Sequence, residues 1–225
     1  MNSVNSYLNS SIGKKQIVAV TGLVLILFVI GHLLGNLWIY TGPEAFNDYA
    51  KKLASLRPAL TVAEAVLFII FLIHLYVTAL LVLENLRARS QGYAMVRNKG
   101  ERSFASRLMS YTGTIILAFV IWHIMDFTFS DHLGPRSMIN GKSYGLYGVV
   151  YNSFTNPVHS FLYILAVIAV GMHLDHGVQS FCQTFGFNHP KYTPMLLGFS
   201  RWFAIVVTIG YSSIPIYIFL NFFLT

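Results

Sequence analysis

Four histidines stand inside long apolar runs. His32 lies in "LVLILFVIGHLLG", His74 in "IIFLIHLYVTALLVL", His123 in "TIILAFVIWHIM" and His173 in "FLYILAVIAVGMHL". An imidazole surrounded by hydrocarbon loses its water and needs another partner. Ionisable groups at such positions are rare and tend to mark function. One alone is equally well explained as a hydrogen bond between helices. Four, one in each of four consecutive runs, call for a common explanation.

Their depths supply one. At a 1.5 Å rise per residue, His32 is roughly 22 Å and His123 roughly 24 Å from one end of their runs. Measured from the same side, His74 is roughly 16 Å and His173 roughly 14 Å deep. In an up-down bundle the first and third helices share one diagonal, and the second and fourth share the other. Each diagonal then carries two imidazoles at matched depth. That is the requirement for axial ligation of a flat iron macrocycle, one ring above the metal and one below. Zinc fits less well, because its ligands would converge at a single depth. A proton relay would recruit carboxylates along its path, whereas Glu64, Glu84, Asp126 and Asp175 sit mostly near the ends of the runs.

The elements that position these residues are membrane helices. Of 225 residues, 55% are hydrophobic and 10% charged, against about 25% charged in soluble domains. Charge almost vanishes over 16–43, 65–83, 108–125, 157–174 and 202–225. Each stretch is near the roughly 20 residues that a spanning helix needs. The expectation is a single all-α membrane domain over 1–225 with five transmembrane helices, at about 16–40, 59–86, 107–129, 157–183 and 196–222. The first four form an up-down bundle around the histidines. Residues 1–15 read as a polar segment with a short surface helix, 130–156 as an outer loop, and Pro215 as a bend in the fifth span. No cleavable signal is expected, since the first span is too long for one.

The net charge of +7 is a topology signal. With the N-terminus inside, Lys14, Lys15, Arg87, Arg89, Arg97, Lys99, Arg102, Arg107, Lys191 and Arg201 are inner. Lys51, Lys52, Arg57, Arg136 and Lys142 are outer, so the count is ten against five. That bias places the N-terminus in the cytoplasm and the C-terminus outside, and gives an inner partner a basic face. The single cysteine, Cys182, rules out an intrachain disulfide, an all-cysteine iron–sulfur cluster and covalent c-type haem.

Residues 21–32, "TGLVLILFVIGH", repeat as 112–123, "TGTIILAFVIWH". Gly22 and Gly113 each precede their histidine by ten residues, roughly 15 Å along the helix. A glycine there lets a macrocycle edge approach the backbone, and small residues also help membrane helices pack; both readings stand. His159 and His173, fourteen apart, would suit two haems held by two helices, but no other span has such a pair. His176 is one turn beyond His173 and less deep in its run. His132 and His189 fall in loops.

"IGHLLGN" (30–36), "LIHLY" (72–76), "VIWHIMD" (120–126) and "MHLDHGVQSFCQTFG" (172–186) together resemble the dihaem cytochrome b membrane subunit of succinate:quinone oxidoreductases. That family comprises succinate dehydrogenases and quinol:fumarate reductases, and the resemblance covers all five spans. It implies two b-type haems as cofactors, with His74 and His173 on the proximal iron and His32 and His123 on the distal one. His176 matches a non-ligand position. It further implies a flavoprotein partner with FAD, an iron–sulfur partner, menaquinone as substrate, and a bacterial cytoplasmic membrane with the soluble partners on its inner side. The dicarboxylate chemistry would belong to the partners.

Quinone chemistry needs a proton acceptor, for which Glu44, Asp48, Glu64 and Asp126 are the candidates. Some fumarate reductases carry a glutamate two residues before the fourth ligand; the residue here is Gly171. Lys15 and Arg107 are candidates for haem propionates. Two other functions compete. A dihaem subunit of a hydrogenase or formate dehydrogenase would purify with a metalloenzyme. A proton-coupled transporter would be colourless, and the chain lacks the inverted repeats and broken helices of that class.

Overall fold

A computed structural model of the chain describes residues 3–88 and 104–224. Arg89, Arg97, Lys99 and Arg102 of the basic inner loop, and the side chain of Arg107, lie outside the described residues. A short helix α1 (Ser3–Asn9) leads into α2 (Ser11–Asn36), whose last turn tightens into a 3-10 segment over Leu37–Thr41. Then come α3 (Pro43–Ser55), α4 (Ala59–Arg87) and α5 (Phe104–His123), which runs into a π turn at Ile124–Thr128. A two-stranded hairpin, β1 (Met138–Ile139) and β2 (Lys142–Ser143), precedes α6 (Gly145–Phe154), α7 (Pro157–Thr184) and α8 (Thr193–Leu224).

Five segments are long and apolar enough to cross a membrane: Ser11–Thr41, Ala59–Arg87, Leu108–Thr128, Pro157–Thr184 and Thr193–Leu224. Helices are the form such sequences must take, since lipid offers backbone amides no partner outside the segment. The first span starts five residues earlier than the charge pattern suggests, because Ser10 caps it by accepting from the Gly13 amide at 3.1 Å. Lys14 and Lys15 therefore lie within the helix. Asn156 caps α7 by accepting from Val158 and His159, with Pro157 in the first turn. The fifth span continues as helix through Pro215.

Close packing joins α2 to α4 and to α7, α5 to α7, and α8 to α7 and α2. Among the described residues no comparable packing joins α2 to α5, α4 to α7 or α4 to α5. Spans I to IV thus pack in the order α4, α2, α7, α5, with both diagonals and the α4–α5 side open. Leu174, Ala204 and Val207 form the inner seam of α7 and α8, with Ile26 and Val29 of α2 against it.

The outer end carries a folded cap that a loop reading of 42–57 and 130–156 does not anticipate. Gly42, at φ 98°, turns the chain into α3, and Pro43, Glu44 and Lys52 suit the start and end of that helix. Phe46, Val150 and Phe154 pack with Ile39, Tyr163, Ile214 and Ile218 into one core. Asn47 fastens α3 to α6. Its amide nitrogen donates to the Tyr144 carbonyl at 2.7 Å, and its oxygen accepts from the Tyr147 amide at 3.1 Å. Asn47→Ala strands the Tyr147 amide and leaves the Tyr144 carbonyl with the Gly148 amide alone at 3.2 Å, which costs about 1–3 kcal/mol. We expect a lower thermal midpoint for the detergent-purified protein, and an unchanged midpoint would show that the clasp contributes nothing.

Candidate functional site

The repeat "TG…H" builds two levels on α2 and two on α5. Eleven residues separate Thr21 from His32 and Thr112 from His123. Eleven residues make about three turns, so each threonine lies on the same face as its histidine, roughly 16 Å along the axis. The outer level pairs His32 with His123. Their ring centres are 5.7 Å apart and their planes nearly perpendicular, at 87°. Phe28 stacks on His32, while Phe119, Phe127 and Tyr163 surround His123. Tyr211 of α8 reaches over His32 and donates to the Val29 carbonyl at 2.7 Å. His123 Nδ1 is buried and has no hydrogen-bond partner among the described residues.

At the inner level His74 Nδ1 lies 3.0 Å from the Thr21 hydroxyl, and His173 Nδ1 lies 3.2 Å from the Thr112 hydroxyl. Gly22 and Gly113 sit directly against the same rings. A Cβ on Gly22 would come within 3.3 Å of His74 Cε1, and one on Gly113 within 3.5 Å of His173 Cε1. Both glycines therefore face the inner imidazoles, and any larger side chain would push on them. Sequence reasoning singled out the glycines and passed over the threonines. The coincidence of Thr21 and Thr112 in the repeat was the available signal.

Two imidazoles facing across a bundle can hold one metal between them. Two metal–nitrogen bonds of about 2 Å put the ligand nitrogens about 4 Å and the ring centres about 6 Å apart. The His32–His123 separation of 5.7 Å suits that arrangement. At the inner level Nδ1 is taken by threonine, which leaves Nε2 as the available donor. Among the described residues no three His, Cys, Asp or Glu side chains converge on a point. His176 shares in neither threonine contact, and His159 lies at the outer end beside Asp126.

Of the four candidate acids, only Asp126 enters a side-chain network near a paired histidine. It lies in the π turn that follows His123, with its side chain 13% exposed. Tyr163 donates to its Oδ2 at 2.7 Å, His159 Nε2 is 3.2 Å from the same oxygen, and Arg136 is 3.5 Å from Oδ1. Arg136 also donates to Ser153 at 2.8 Å. Asn152 of α6 holds the hairpin by donating to the Arg136 and Met138 carbonyls. The network thus joins four separate elements. Turns of π geometry recur at functional sites.

The other three acids are on the outer surface. Glu44 is exposed, Asp48 pairs with Lys51 at 3.6 Å, and Glu64 pairs with Arg57 at 3.3 Å. At the inner end Glu84 pairs with Lys14 and ties α4 to α2, while Lys15 is exposed. Gly171 is closed to any side chain, because a Cβ there would overlap the Thr208 hydroxyl of α8.

One curated relative carries a name that bears on this arrangement. The succinate dehydrogenase cytochrome b558 subunit of Bacillus subtilis (strain 168) is 27% identical over 190 residues, covering 83% of this chain and 84% of that protein. The resemblance read from the four histidine motifs is to the same family. No protein-family model and no solved structure matches the chain.

Proposed function

We propose that this chain is the membrane-anchor electron-transfer subunit of a succinate:menaquinone oxidoreductase or quinol:fumarate reductase. The observation that carries this reading is the His32–His123 pair, with a matching threonine contact at each of the two other intramembrane histidines. His32 meets His123 at the outer level, and matching threonines hold His74 and His173 at the inner one. The name of the Bacillus subtilis relative supports the same assignment.

His74 and His173 would hold a proximal b-type haem, and His32 and His123 a distal one. Each haem, when bound, supplies a one-electron ferric/ferrous couple. The chain supplies the rest. Its imidazoles orient the groups, its apolar helices exclude water, and the roughly 16 Å between levels spans much of a 30 Å hydrocarbon core. Basic residues at the inner end, among them Lys15, Arg87 and Lys191, offer a face to an iron–sulfur subunit. A flavoprotein carrying FAD would stand behind it, on the cytoplasmic side of a bacterial inner membrane.

At the outer end Asp126 is the proton acceptor of choice for menaquinone chemistry. Arg136 and Tyr163 hold its carboxylate in place, and His159 gives a proton a second station. The test is a dithionite-reduced minus oxidised spectrum of the purified complex, with haem counted per chain. Two b-type haems and a co-purifying flavoprotein are expected. A colourless, folded protein would overturn the assignment, and a metalloenzyme partner would redirect it to hydrogenase or formate dehydrogenase.

A further inference from the structure

We propose that Thr21 and Thr112 are positioning residues for the inner iron ligands, each fixing its partner imidazole with the proton on Nδ1 and the lone pair on Nε2. The proposal rests on the haem-binding reading above. It follows from counting protons. The Thr21 hydroxyl is 2.7 Å from the Ile17 carbonyl and 3.1 Å from that of Val18, and we assign its single proton to these acceptors of its own helix. The Thr112 hydroxyl stands likewise 3.2 Å and 3.1 Å from the Leu108 and Met109 carbonyls. Each oxygen then has only lone pairs to offer the histidine. With the hydroxyl protons so assigned, the remaining proton in the contact falls on Nδ1, and a neutral imidazole so arranged presents an unprotonated Nε2.

Burial makes the arrangement stringent. Thr21 is 8% and Thr112 2% exposed, so water is a poor substitute for either partner. The two contacts arise on separate helices with the same order of residues, threonine then glycine, and both reach an inner-level ring. The glycine allows the ring to come close and the threonine orients it. Each of α2 and α5 therefore carries an outer ligand and also the holder of an inner ligand that belongs to a neighbouring helix.

An acceptor on Nδ1–H makes an imidazole a stronger donor to its metal. Ferric iron gains more from that than ferrous, so removing the acceptor should raise the inner potential. Water can replace the acceptor less readily at Thr112, the more deeply buried of the two threonines, than at Thr21. The effect should accordingly be larger at Thr112 than at Thr21.

The experiment compares wild type, Thr112→Val, Thr112→Ser and Thr21→Val in the purified complex by haem count, ferric EPR and redox titration. The expected result for Thr112→Val is two haems. The inner one should shift about tenfold towards the ferrous state, which is about 59 mV for one electron. Its low-spin ferric signal should move and the outer haem should be unaltered. Serine should restore the wild-type values, and Thr21→Val should give a smaller shift. Selective loss of the inner haem in Thr112→Val, reversed by serine, would support the same role. Unchanged potentials and EPR in Thr112→Val would overturn the proposal, as would a change that serine fails to reverse. A wild-type complex without haem would instead fail the underlying reading.

Discussion

His74→Ala should yield a complex with one haem per chain where the wild type has two. His74 is the only histidine of α4, and its ring is held at the inner level by Thr21 and lies against Gly22. On the proposed assignment, alanine removes one of two axial ligands. A five-coordinate site with a single imidazole would retain its group poorly through purification. The outer pair sits about three helical turns away on α2 and α5 and should keep its own. Quinone-linked turnover should fall to background, because the only carrier between the iron–sulfur partner and the outer level is gone. Two controls sharpen the result. His189→Ala, in the inner turn, should keep both haems. His176→Ala should do so too, since Thr112 contacts His173. Two haems in His74→Ala would break the pairing scheme, and loss of one in His176→Ala would reassign the fourth ligand.

The second large effect is at Asp126. Asn keeps an oxygen for Tyr163 and most of the volume, but it removes the charge facing Arg136 and the carboxylate that could take a proton. General acid–base groups contribute typically 10²–10⁴-fold. We expect quinone-linked turnover of Asp126→Asn to drop about 100-fold, with both haems present. Dye-linked succinate oxidation at the flavoprotein partner should be unaffected. Wild-type quinone turnover in this variant would move the acid to Glu44, Asp48 or Glu64. Those three are solvated or paired with a neighbouring base, so each substitution alone should cost little by comparison.

The five spans were legible, and so was the His32–His123 contact, because both follow from one-dimensional rules. Apolar length marks a spanning helix, and rise per residue converts sequence position into depth. Rise per residue sorted the histidines into two levels about 6–10 Å apart; the contacts of Thr21 and Thr112 put them roughly 16 Å apart, because the helices do not start at a common depth. What escaped depends on residues far apart in the chain. Thr21 looks like any threonine bonded back to its own helix; its role appears only when α4 brings His74 to it. Asp126 stands in the sequence as one of four candidate acids, and what sets it apart appears only when the chain carries Arg136 back across ten residues and α7 adds His159 and Tyr163. The cap helices α3 and α6 are short. Pro43 with Glu44 and Lys52 could have revealed α3, whereas α6 starts at Gly145 with φ 58°, a conformation that its neighbours in sequence do not announce.

The placement of the ligands also sets an order in time. Each pair draws one histidine from the first two spans and one from the next two, so no fragment holding only α2 and α4 contains a complete pair. A ribosome exposes His123 fifty residues before His173. At about 5–20 residues per second that is roughly 3–10 seconds. The outer ligands are therefore both present in the membrane while the last inner ligand is still unmade. A nascent chain arrested after α5 would possess the outer pair alone, and the inner site is closed only when α7 arrives to lay His173 against Thr112.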